Sequence, residues 1–95
     1  MQTNTERHTS VTIEDRLGLH MRVAQQIVLV AQRFQSTLTI CKGSIVADAK
    51  SILSVLMLGA VHGSVLGLHA SGEDAEAAIS EIAHLIDSKC DDSQQ

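Results

Sequence analysis

An α+β fold follows from three features of this chain: four short segments in which apolar residues alternate, three in which they recur at helical spacing, and a size that permits one core. The first strand runs from Thr9 to Ile13, with Val11 and Ile13 on one face. A helix follows, because Ala24, Ile27, Val28, Ala31 and Phe34 share one stripe while Arg22, Gln25, Gln26, Gln32 and Arg33 mark the wet side. Leu29 interrupts that wet side. Thr37 to Cys41 alternates through Leu38 and Ile40, and Lys42-Gly43-Ser44 turns the chain back into an antiparallel partner, Ile45 to Ala49, with Ile45, Ala47 and Ala49 inward. A short helix spans about Ser51 to Leu58 and stops at Gly59. The fourth strand is Val65 to Ala70, with Leu66, Leu68 and Ala70 inward and His69 on the opposite face, which suits a sheet with one packed and one wet side. Ala75, Ala78, Ile79, Ile82, Leu85 and Ile86 then define a last helix behind a Ser71-x-x-Asp74 capping box. The order is βαββαβα.

Composition narrows the function. The chain has 95 residues, a formal net charge of -4 and a single aromatic residue, Phe34, so it offers neither a basic footprint for a phosphate backbone nor stacking platforms for bases. Nucleic acid is excluded as a partner. No uncharged apolar run approaches the roughly 20 residues that span a bilayer, and the polar start lacks a secretory core, so no membrane association and a cytoplasmic location are expected. Cys41 and Cys90 have no zinc or disulfide spacing and read as reduced thiols. No metal and no cofactor are expected. Residues 1–7 and 88–95 carry too little apolar content to offset ordering entropy and read as disordered tails around one domain, 8–87.

Chemistry is concentrated in Gly18-Leu19-His20-Met21-Arg22-Val23-Ala24. A glycine turn here gives way to a helix, whose first N–H groups lack internal partners and carry about half a positive charge. An imidazole held there can bear an anionic adduct, and the Arg22 guanidinium fits phosphoryl oxygens. His8, His69 and His84 read as surface residues and His62 lies in a loop with no evident role, so His20 alone has a mechanism attached. Ser51 stands at the start of the short helix, where a serine hydroxyl caps free amides.

Together, Gly18, Leu19, His20, Arg22 and Ala24 and, about thirty residues on, the stretch around Lys50-Ser51-Ile52-Leu53 resemble HPr, the histidine-containing phosphocarrier family of the bacterial phosphoenolpyruvate-dependent sugar phosphotransferase system. The resemblance runs from about Thr9 to Ile86. The family's pattern is Gly-Leu-His-x-Arg-Pro-Ala, and Val23 stands where the proline belongs. Valine restores an N–H that proline lacks and loses proline's preset backbone angle.

The resemblance implies an open-faced β-sandwich: a four-stranded antiparallel sheet with three helices packed on one face. It implies a carrier rather than an enzyme, a monomer that takes a phosphoryl group on His20 Nδ1 from phosphorylated enzyme I and yields it to enzyme IIA domains, with Arg22 stabilising the phosphate. It also implies regulatory phosphorylation of Ser51 by an HPr serine kinase/phosphorylase. Ile52, Leu53 and Leu56 match the family's apolar partner patch, which Met21 and Val23 would enlarge. The alternative is a regulatory relative from a nitrogen-related or incomplete system, acting mainly by phosphorylation-dependent protein binding.

Overall fold

The computed structural model describes residues 5–87. Its elements are β1 (Glu6–Thr12), α1 (Met21–Ala31), β2 (Thr37–Lys42), β3 (Ile45–Asp48), α2 (Ile52–Leu56), β4 (Val65–Ser71) and α3 (Ala75–Asp87). The four strands form one sheet in the order β1-β4-β2-β3, and every neighbouring pair is antiparallel. The open-faced arrangement expected above is the one observed, with α3 over the sheet, α1 beside α3 and sharing the core, and α2 against α1 and β3.

Alternation sets the inner face. Val11 on β1, Leu38 and Ile40 on β2, Ala47 on β3, and Leu66, Leu68 and Ala70 on β4 are buried. The helices contribute Ile27, Val28 and Ala31 from α1, Val55 from α2, and Ala78, Ile82 and Ile86 from α3. Each large aliphatic side chain removed from water here contributes about 1.5–3 kcal/mol. The Gly43-Ser44 turn joins β2 to β3, and Gly43 takes the positive φ of 61° that a tight hairpin needs.

Three expectations are corrected. The first strand begins at Glu6, inside the segment read as a tail, because Glu6 and Arg7 pair with Ser71 and Ala70 at the sheet edge; residues 1–4 and 88–95, with Cys90, lie outside the described residues. Ile45 is 47% exposed rather than inward, since it opens a four-residue edge strand at the hairpin end, opposite Lys42. The capping box does not form. Ser71 is the last residue of β4, and the Asp74 carboxylate instead accepts from the Gln35 and Ser36 amides at 2.9 and 3.0 Å and from the Ser36 hydroxyl. These bonds tie the entry of β2 to the start of α3. They also hold the Asp74 carboxyl below its usual range, the Ser36 hydroxyl chief among the causes.

Candidate functional site

The loop from β1 to α1 is pinned to the chain leaving α2. The Leu19 N–H donates to the Ala60 carbonyl at 3.0 Å, while Ile13 and Ser64 are bridged by the Ile13 N–H at 2.9 Å. Gly18 sits between these ties with φ 74°, and a Cβ there would lie 2.6 Å from the Ala60 oxygen and 2.9 Å from Val61 Cα. Only glycine fits this approach without displacing backbone. Leu19 is buried, so the chain is anchored immediately before His20.

His20 is the N-cap of α1, with extended backbone angles of φ -92° and ψ 179°, and its side chain makes no capping hydrogen bond. The Ala24 N–H closes the first turn onto the His20 carbonyl at 2.9 Å, which leaves the Met21, Arg22 and Val23 amides ahead of the helical ladder. The imidazole is 31% exposed, and its Nε2 lies 3.5 Å from Asp15 Oδ2. Arg22 is exposed on the first turn. A partly exposed imidazole at a helix start, with first-turn amides ahead of the ladder and an exposed arginine two residues on, is a place where an anion on the ring would meet positive potential.

The apolar surroundings divide. Met21 and Leu53 are 54% and 68% exposed, as a partner-facing patch requires. Ile52 and Leu56 are partly buried against the core, and Ile52 also lines a shallow groove with Gln25, Val28, Leu29 and Gln32. Val23 is corrected outright: at 2% exposed it belongs to the core and adds nothing to the patch. Its place is explained by Ile27 four residues later, which puts both on the inner stripe of α1.

Three exposed apolar residues escaped the sequence reading: Leu17, Met57 and Val61. Leu17 precedes Gly18, Val61 follows the Ala60 that Leu19 contacts, and Met57 stands four positions after Leu53. Each falls outside a periodic core slot, which was the available signal. Asp15 was also missed.

Ser51 caps α2 as expected, its Oγ accepting from the Ser54 N–H at 3.3 Å. An Asp48 turn precedes it, with the Lys50 N–H on Asp48 Oδ1 at 2.9 Å, and Lys50 Nζ reaches the Phe34 carbonyl at 2.8 Å. His8, His62 and His84 are exposed, and His8 stacks on His69 across β1 and β4. Among the described residues no three His, Cys, Asp or Glu side chains converge as a metal site, and no helix is long and apolar enough to cross a membrane.

Comparison with known proteins decides the family. Residues 8–88 match the family model described as the PTS HPr component phosphorylation site. The chain belongs to the HPr phosphocarrier family. Phosphocarrier protein NPr of Shewanella violacea is 39% identical over 88 residues, 93% of this chain and 97% of that protein. Phosphocarrier protein HPr of Pseudomonas aeruginosa is 35% identical over 85 residues, 88% and 94% of the two chains. Among solved structures, an HPr from Thermoanaerobacter tengcongensis superposes with a TM-score of 0.84 at 36% identity, covering 87% of this chain and 93% of that one. The HPr fold and the phosphocarrier class therefore rest on both sequence and structure.

Proposed function

We propose that this HPr-family protein carries a phosphoryl group on His20, accepting it from phosphorylated enzyme I and yielding it to an enzyme IIA domain. The observation that carries the reading is the partly exposed imidazole at the start of α1, uncommitted to capping and two residues before Arg22. In the forward step the nucleophilic Nδ1 attacks phosphorus, the donor's N–P bond breaks, and the new Nδ1–P bond forms. The first-turn amides and the guanidinium bind the added charge of about -1.5 to -2. Both partners bring their own reacting groups, so the protein acts as a carrier and needs no substrate pocket. Met21 and Leu53, with Leu17, Met57 and Val61, form the exposed apolar rim against which the partners dock.

Ser51 is the regulatory site in this reading, the target of a serine kinase of the HPr serine kinase/phosphorylase type. The similarity to NPr proteins favours a second reading, in which the carrier serves a nitrogen-related chain and acts by phosphorylation-dependent binding. Onward transfer tests both. The phosphorylated protein is mixed in turn with a sugar-type and a nitrogen-type enzyme IIA; loss of label to the first supports transport, to the second the regulatory chain. Failure to label either domain would contradict a carrier role.

A further inference from the structure

Asp15 uses its two carboxylate oxygens differently. Oδ1 accepts the Leu17 N–H at 2.9 Å and the Asp15 carbonyl accepts the Gly18 N–H at 2.9 Å, so this residue builds the turn that delivers His20. Oδ2 lies 3.5 Å from His20 Nε2. The carboxylate is 21% exposed and the imidazole 31%, so water screens the contact only in part.

We infer that Asp15 is a positioning residue for phosphoryl transfer: its Oδ2 holds the His20 proton on Nε2 and so leaves the Nδ1 lone pair bare as the nucleophile. The inference rests on the carrier reading of His20. An ionised carboxylate only accepts hydrogen bonds, so a neutral imidazole facing it is favoured with Nε2 protonated and Nδ1 bare. Contacts of this kind are often long before the partner arrives and tighten in the complex. The step balances without moving that proton: with a phosphoramidate-type donor, Nδ1–P forms, the donor's N–P bond breaks, and the donor nitrogen takes its proton from water.

Asp15→Asn separates orientation from scaffolding. The Leu17 N–H demands an acceptor at Oδ1, so the asparagine oxygen stays there and its NH₂ faces Nε2. A donor in that place favours a bare Nε2 and a protonated Nδ1, which removes the nucleophile while keeping the turn.

The test is the tautomer of His20 in the free full-length protein, read by long-range ¹H–¹⁵N NMR at alkaline pH, followed by phosphorylation rates with phosphoramidate alone. Wild type should be mainly protonated at Nε2. Asp15→Asn should shift toward Nδ1–H and form Nδ1-phosphohistidine about tenfold more slowly. Asp15→Ala, which loses both oxygens, should fall between the two. An unchanged tautomer ratio in Asp15→Asn would overturn the inference, as would an Asp15→Ala rate at or below that of Asp15→Asn, which would assign the loss to turn geometry. The tautomer arm reads the free protein, so it stands or falls separately from the carrier function itself.

Discussion

Gly18 and the Ala60 carbonyl lie so close that a Cβ at Gly18 would come within 2.6 Å of that oxygen. The contact couples the His20 loop to the segment leaving α2, so the geometry of the helix start depends on both. Gly18→Ala combines a left-handed backbone with a clash against main chain, and should destabilise the domain by about 2 kcal/mol or more. Denaturant midpoints measure this loss. Phosphorylation of His20 by enzyme I should slow in the same variant even where it remains folded.

Burial divides the candidate patch residues into two behaviours. Val23→Ala removes methyl groups from the core and should cost about 2 kcal/mol while leaving partner affinity in the folded protein nearly unchanged. Met21→Ala and Leu53→Ala should do the reverse, with stability within about 0.5 kcal/mol of the parent and weakened binding to enzyme I. Thermal unfolding together with calorimetric titration of enzyme I checks both halves.

Ser51 tests regulation. A phosphate on this N-cap would be tolerated by the amides it faces, and would add negative charge within the docking surface proposed above. Ser51→Asp should keep the fold and slow phosphoryl transfer from enzyme I. Equal transfer rates, or an unfolded variant, would contradict this mechanism.

Asp74 gives a pH dependence with a definite sign. Its folded carboxyl is lowered by the Ser36 hydroxyl and by the Gln35 and Ser36 amides, so its stabilising effect is fully present above the ordinary carboxylate value of about 3.9. The effect is lost as pH falls through the lowered folded value. The stability gap between wild type and Asp74→Asn should therefore be level between about pH 7 and 5 and shrink below about pH 4. Chemical denaturation across that range measures it.

Much of this was legible in the sequence, for physical reasons that differ by element. Period-two alternation identified Leu66, Leu68 and Ala70 as inward, and period 3.6 identified Ala78, Ile82 and Ile86, because burial repeats with the backbone. Ser51 was legible as a cap because capping is local. The burial of Val23 was encoded too, in its spacing to Ile27 and Ala31, but its position beside His20 suggested surface. Asp74 was misread because its partners, Gln35 and Ser36, lie 39 and 38 residues earlier and outcompeted the local cap. The approach of Asp15 to His20 depends on the turn at Leu17 and Gly18, and hydrophobic periodicity is silent on such turns.

The most direct test of the central claim is to incubate the protein with enzyme I and phosphoenolpyruvate and map the acid-labile phosphate among its five histidines by mass spectrometry. The account predicts label on His20 alone and none in His20→Ala. Label on another histidine, or labelling that survives in His20→Ala, would contradict it.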